Sequence, residues 1–204
     1  MCILTHIAST TNFTMKKLLT LLLLSTVLLA CHTQKNIHCV IETNMGNIGI
    51  ELYPQKAPIT VGNFMTYVDK QLYNNSSFFR VCTPPNEADR DIKIEVIQGG
   101  NVPENQQLDS IALETTNKTK LLHKNGALSM ARGGPQSATS EFFICINNQP
   151  ELNFGGKRNP DGQGFAAFGQ VTSGMDVVKK IQSQPDNKQY LVQPVVIKTI
   201  RRVK

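Results

Sequence analysis

The sequence predicts a mainly β fold, a closed antiparallel barrel capped by two α-helices, and three observations lead there. Short β-prone apolar runs recur from His38 to Ile200, helical spacing of apolar residues appears only twice, and turn-forming clusters such as Asn44-Met45-Gly46-Asn47 and Gly133-Gly134-Pro135 separate the runs. Many strands with two helices close most simply into a barrel, which leaves no sheet edge exposed. The chain has 204 residues, 40% hydrophobic and 18% charged, enough for one packed core and too apolar for global disorder.

The elements follow in order. Residues 38–43 and 48–52 read as a hairpin around the Asn44–Asn47 turn. Pro58 opens a helix in which Val61, Phe64, Met65, Val68 and Leu72 fall on one face. Residues 78–81 form a short strand, and the Pro- and Asn-rich segment 83–91 reads as an exposed loop. Alternation over 92–98 gives a strand that ends at Gly99-Gly100, where the backbone must turn sharply. The polar stretch 101–125 crosses the surface without a definite element. Strands at 126–130 and 142–146 flank the Gly133-Gly134-Pro135 loop, and a second loop spans 153–164. A strand at 165–171, a helix at 175–181 introduced by Ser173, and a closing strand at 195–200 complete the chain.

The formal charge of +6 overstates the basicity of the body. Lys16, Lys17, Arg201, Arg202 and Lys204 lie at the two ends, and without them cations and acids nearly balance, so no basic stripe is available for phosphates. Nucleic acid is therefore not an expected partner.

Residues 1–30 read as a signal peptide. Lys16-Lys17 precedes an apolar stretch from Leu18 to Ala30, too short for a membrane-spanning helix of ~20 residues but matched to a signal segment. Residues 1–14, upstream of Met15, read as a mis-called start. Leu28-Leu29-Ala30-Cys31 resembles the bacterial lipobox, which makes Cys31 the expected lipidation site and the cell envelope the expected location. Residues 31–37 then form a tether to a domain at 38–204, and acyl chains anchor it to a membrane surface without a spanning helix. Cys39 and Cys145 lie in apolar strand-like runs and read as buried hydrophobes. No CxxC pair occurs, so neither a metal site nor a redox centre is expected.

Several motifs stand in a telling order: Phe78-Phe79-Arg80-Val81, Val96-Ile97-Gln98-Gly99-Gly100, Gly126-Ala127-Leu128-Ser129-Met130-Ala131-Arg132, Ser140-Glu141-Phe142-Phe143-Ile144 and Phe165-Ala166-Ala167-Phe168-Gly169. With the helix after Pro58 and Gly174-Met175-Asp176-Val177-Val178, the set resembles the cyclophilin family of peptidyl-prolyl cis-trans isomerases over 37–203. The resemblance implies an eight-stranded barrel with its groove on the outer face and proline-containing polypeptides as partners. It implies Arg80 as the catalytic arginine, Gln98 as a substrate-orienting amide and Phe143 as the floor of a proline pocket. It further implies that Val96, Leu152 and Phe165 line the sides of that pocket and that backbone groups of Ala131 and Arg132 hold the peptide. Strand alternation adds that one ring of Phe142-Phe143 must leave the barrel interior, where an exposed ring needs a ligand.

These residue types suit the chemistry. Rotation about a peptide bond is opposed by ~18–20 kcal/mol because the nitrogen lone pair is delocalised. As the bond twists, that nitrogen becomes pyramidal and basic, so a guanidinium beside it donates a hydrogen bond that strengthens only in the transition state. Arginine stays protonated and presents a rigid fork. Neither a nucleophile nor a cofactor enters.

The chain also departs from the family pattern. The loop through Thr83-Pro84-Pro85-Asn86-Glu87-Ala88-Asp89 is long, and so is the loop from Gly155 to Gly164. Glu141 replaces a frequent glutamine, and Arg132 a frequent asparagine; the two charges are expected to pair at the rim. Glu151 stands where many members present an aromatic ring to cyclosporin, so weak cyclosporin binding is expected. Phe165 replaces a frequent histidine. Nothing signals oligomerisation, and the chain reads as a monomer. The functional expectation is a lipid-anchored isomerase assisting exported proteins; the alternative is a peptide-binding module or chaperone that kept the cleft and lost turnover.

Overall fold

A computed structural model describes residues 35–203; the predicted signal peptide at 1–30 and the expected lipidation site Cys31 lie outside the described residues. The strands are β1 (Ile37–Thr43), β2 (Gly46–Leu52), β3 (Ser76–Cys82), β4 (Val96–Gly99), β5 (Ala127–Met130), β6 (Phe142–Cys145), β7 (Ala166–Ser173), β8 (Asp186–Asn187) and β9 (Tyr190–Arg202). The helices are α1 (Pro58–Asp69), the single turn α2 (Thr116–Thr119) and α3 (Met175–Gln182). Eight strands form a ring in the order β1-β2-β7-β5-β6-β4-β3-β9, closed by β1 against β9, and every pairing is antiparallel. The two-residue β8 hangs on β9 outside the ring.

Local chemistry explains the elements. In the first hairpin Cys39, Ile41, Ile48, Ile50 and Leu52 alternate inward, and Thr43 closes the turn by accepting from the Met45 amide and donating to the Gly46 carbonyl. β1 opens at Ile37, paired with Leu52, one residue into the expected tether. Helix α1 has no capping side chain of its own at Ala57. Glu114, from the stretch with no predicted element, accepts from the Ile59 and Thr60 amides and the Thr60 hydroxyl instead, placing an anion at the positive end of the helix.

Three expectations are corrected. Ser173 does not cap α3; it stays in β7 opposite Gly49, and Gly174 at φ +83° makes the turn into the helix. The stretch 101–125 contains the third helix, α2, which a run of polar residues concealed. Strand β4 begins at Val96 rather than Ile92, because side chains have taken the preceding backbone: the Ile94 amide donates to Glu87 and the Ile92 carbonyl accepts from Arg158.

The interior holds Phe64, Tyr67, Tyr73, Phe78, Phe142 and Phe168 among the inward aliphatics. Phe64 meets Phe142 edge-on at 5.4 Å, and the Tyr73 hydroxyl donates to the Ser140 carbonyl at 2.8 Å, which satisfies a fully buried polar group. A second, smaller apolar cluster lies on the other side of the same strands: Cys82, Ile94, Val96, Ala127, Phe143, Cys145 and Leu152, with Ala131 and Phe165 packed on it. Cys39, Cys82 and Cys145 are buried free thiols; burial pushes Cys39 up to about 11 and Cys82 up to about 12, so they behave as hydrophobes. Among the described residues no helix is long and apolar enough to cross a membrane.

Candidate active site

The outer cluster exists because three strands present alternate residues outward. On β6, Phe142 and Ile144 enter the core while Phe143 and Cys145 face the second cluster. On β4, Ile97 points in and Val96 and Gln98 point out. On β3, Phe78 and Val81 are both inward, so strict alternation would send Arg80 into the core with Phe78. A β-bulge prevents this: Phe78 pairs with Gly99 and Arg80 with Gln98, two steps on β3 against one on β4. The extra residue shifts the phase and aims the guanidinium outward. Gly99 permits the close approach, since a Cβ there would meet the Phe78 ring at 2.7 Å.

The Arg80 guanidinium is held by amides. Its Nη1 donates to Gln98 Oε1 at 2.7 Å, while Nε and Nη2 donate to Gln189 Oε1 at 3.0 and 2.6 Å. Each glutamine in turn donates to a carboxylate: Gln98 Nε2 to Glu141 at 2.7 Å, and Gln189 Nε2 to Glu87 at 3.2 Å. Three of the five guanidinium N–H groups are thereby engaged among the described residues.

A hollow of about 220 Å³ adjoins this arginine, and all eight predicted site residues line it: Arg80, Val96, Gln98, Ala131, Arg132, Phe143, Leu152 and Phe165. Phe143 is not the exposed ring expected from alternation but only 5% exposed. Phe165 meets it edge-on at 5.5 Å and His123 stacks on it at 5.9 Å, so the floor is built from packed rings. The His123 ring lies between Asn153 Oδ1 and Ser129 Oγ, each at 2.9 Å. Asn153 Oδ1 can only accept, which places the proton on Nδ1 and leaves Nε2 to accept from Ser129. Burial lowers the His123 pKa to about 4, against which the Asn153 hydrogen bond acts only partly, so the ring is neutral.

The expected Arg132–Glu141 pair does not form. Arg132 makes a two-pronged contact with Asp161 at 2.7 and 2.8 Å, donates from Nε to the Gly164 carbonyl and lies 5.3 Å over the Phe165 ring. Glu141 is occupied by Gln98. The long second loop supplies an acid nearer and better shaped for the guanidinium fork than the one on the neighbouring strand. The Ala131 amide donates to the Glu141 carbonyl. A second hollow of about 270 Å³ shares Gln98, Ala131 and Arg132 and extends along Gly133, Ser137 and Thr139. Glu151 accepts from the Lys157 amide and so shapes the second loop.

Sequence reasoning missed Gln189, Glu87 and Arg158. Glu87 belongs to the segment read as exposed, yet it is 1% exposed, because the guanidinium of Arg158 pairs with it through two contacts. The two long loops are thus joined by one buried ion pair against the wall of the hollow. Opposite charges within two unusually long loops were the available signal. A larger hollow, of about 610 Å³ between 116–122 and 150–157, is lined by Leu122, Phe154, Lys120 and Lys157 and not by Arg80, Phe143 or Phe165. Among the described residues no group of His, Cys, Asp and Glu is arranged to hold a metal ion. The site can grip a small apolar ring and present a fixed cation beside it.

Comparison with known proteins agrees with that description. The family model described as cyclophilin type peptidyl-prolyl cis-trans isomerase/CLD matches residues 38–202. A peptidyl-prolyl cis-trans isomerase of Acinetobacter baylyi is 38% identical over 167 residues, covering 80% of this chain and 81% of the relative. Peptidyl-prolyl cis-trans isomerase B of Escherichia coli is 38% identical over 146 residues, covering 69% of this chain and 81% of the relative. Among solved structures, a cyclophilin type isomerase of Cryptosporidium parvum is similar in fold, with a TM-score of 0.68 at 22% identity over 83% of this chain and 99% of its own. A second structure of that protein, in the presence of the dipeptide Ala-Pro, has a TM-score of 0.67 at 22% identity, over 82% of this chain and 99% of its own.

Proposed function

The chain belongs to the cyclophilin-type peptidyl-prolyl cis-trans isomerase family, and we propose that it rotates Xaa-Pro bonds of exported polypeptides in the hollow between Arg80, Gln98 and Phe143. The observation that carries this reading is the convergence of a cation held by neutral amides with a packed aromatic floor in one hollow.

The proline ring seats against Phe143, with Val96, Leu152 and Phe165 around it. Binding of the ring fixes the nitrogen side of the bond, so rotation is confined to the acyl side. Gln98 is already committed to Arg80 and Glu141, and this rigid arrangement aims the guanidinium rather than adapting to each substrate. As conjugation is lost the proline nitrogen gains a lone pair, and a remaining N–H of Arg80 donates to it. The bond is absent in the planar ground state, which makes it a contribution to turnover rather than to binding. No covalent bond is made or broken.

Attachment to the cell envelope through a lipidated Cys31 is part of the proposal and is supported by the signal-like segment preceding it. Cys31→Ala in the full precursor is expected to release the protein from the membrane fraction; unchanged fractionation refutes the anchor. The protein is taken to act as a monomer, which a mass measurement of the anchor-free domain in solution checks, a stable dimer being contrary. Weak cyclosporin binding is also part of the proposal, since Glu151 stands where many members of the family present an aromatic ring, and nanomolar inhibition contradicts it.

Turnover is tested by NMR exchange spectroscopy of a short Ala-Pro-containing peptide. The wild-type chain is expected to accelerate exchange and Arg80→Ala to lose most of that acceleration. Equal rates for the two chains would mean a peptide-binding module.

A further inference from the structure

We propose that Gln189 is a second positioning residue for Arg80, and that Glu87, fixed by Arg158, keeps the Gln189 amide turned with its oxygen toward the guanidinium. The inference rests on the isomerase reading above and adds to it the part played by the two long loops.

Arg80 makes one hydrogen bond to Gln98 and two to Gln189, so the second glutamine fixes more of the guanidinium than the first. A lone amide can turn over and offer its NH2 to a cation, which would repel it. Each glutamine here has its NH2 bound to a carboxylate, Glu141 for Gln98 and Glu87 for Gln189, and a carboxylate only accepts. In the chain of contacts Glu141–Gln98–Arg80–Gln189–Glu87 every donor therefore points outward from Arg80 toward one of the two carboxylates. Glu87 cannot turn away, since its two oxygens also accept from Arg158 and from the Ile94 amide. Arg158 completes its own bonding on the Ile92 carbonyl at 2.6 Å.

Backbone conformation supplies an independent argument. Lys188 and Gln189 form the two-residue turn between β8 and β9, with φ of 50° and 78°. Turns with two positive φ values favour Asn-Gly, because a Cβ is disfavoured there and glycine has none. Gln189 is the wrong residue for the turn and the right one for the guanidinium. Its backbone is secured on both sides, the amide donating to Asp186 at 2.8 Å and the carbonyl accepting from Val81 at 2.8 Å. Strain held in place by surrounding bonds is a feature of functional positions.

Gln189→Gly separates this role from a structural one, because it suits the turn while deleting the amide. The exchange rate at saturating Ala-Pro peptide, the peptide Kd and the Tm are measured in wild type, Gln189→Gly and Glu87→Gln. For Gln189→Gly the expected result is a fall in turnover of about tenfold, Kd within twofold of wild type and a Tm equal or higher, since small displacements of a catalytic group are costly. Glu87→Gln, whose amide accepts or donates with equal ease, is expected to lower turnover by at least threefold with Kd unchanged. Turnover of Gln189→Gly within threefold of wild type overturns the proposal, as does a fall accompanied by a matching loss of Tm. An inactive wild-type protein would instead refute the isomerase reading itself.

Discussion

Two of the arginines that line the hollow, Arg80 and Arg132, are held in opposite ways. Arg132 lies in the fork of a carboxylate, with both Asp161 oxygens on its terminal nitrogens. Among the described residues the Arg80 guanidinium hydrogen-bonds only to amide oxygens, and the acids Glu141 and Glu87 stand one residue further back on either side. A carboxylate in direct contact fixes a guanidinium and neutralises it; an amide fixes it and leaves the charge to act elsewhere. Arg132 is built as a piece of rim, and Arg80 as a cation kept available.

The most damaging way to break this contrast is to keep the charge of Arg80 and remove its shape. Arg80→Lys retains a cation but cannot bond Gln98 and Gln189 together while reaching the proline nitrogen. Turnover is expected to fall by ~10²–10³, the range for losing one preorganised donor. Tm should change little, because Arg80 lies outside the core. NMR exchange with the same peptide reads the first quantity and thermal melting the second; retention of more than a tenth of wild-type turnover would show that charge alone suffices.

The floor of the hollow offers the next test. His123 is neutral because burial lowers its pKa to about 4, whereas an unfolded histidine titrates near 6.5. Between those values the unfolded chain binds a proton that the folded chain refuses, so this stabilising contribution is complete above pH 6.5 and is lost as the pH falls toward 4. At 1.36 kcal/mol per unit the loss amounts to roughly 3 kcal/mol. His123→Gln, which keeps a hydrogen-bonding side chain without the titration, is expected to flatten that slope in urea unfolding measured from pH 7 to pH 4. A variant with the same acid sensitivity as wild type would place the titrating group elsewhere.

A subtler change exchanges amide and carboxylate without altering composition. In Gln98→Glu combined with Glu141→Gln the net charge is unchanged, yet a carboxylate now touches Arg80, as Asp161 touches Arg132. Turnover is expected to fall about tenfold with peptide Kd nearly constant, since a compensated guanidinium gains less from the developing lone pair. If the exchanged variant turns over at the wild-type rate, the distinction between the two arginines has no functional content.

The same contrast explains what could be read from the sequence. Gln98 and Phe143 were legible because each sits in a short strand motif where local order and alternation nearly determine its surroundings. The Phe142-Phe143 pair divided between interior and exterior as strand geometry requires. Arg80 was legible only through the resemblance, since alternation from Phe78 without the bulge would have buried it. Partners of charged groups were not legible: Arg132 finds its acid 29 residues away and Arg158 finds its own 71 residues away, each across a loop whose path depends on the finished barrel. Glu87, among prolines and asparagines, looked solvated for the same reason. Gln189 was hidden in a turn whose conformation argues against a long side chain.

Asp161→Asn probes the weaker side of the contrast. Asp161 is exposed, and its carboxyl is held below the usual carboxylate range first by the Arg132 hydrogen bond and then by the Gln163 amide. The Arg132 side chain is only 1% exposed, yet it keeps its bond to the Gly164 carbonyl and its place over Phe165 without the acid. Turnover is therefore expected to stay within twofold of wild type and peptide Kd to weaken by no more than about threefold, the latter difference shrinking as added salt screens the rim. A tenfold loss of turnover on removing this carboxylate would mean that Arg132, and not only Arg80, acts on the twisting bond. The division of labour between the two guanidiniums would then have to be redrawn.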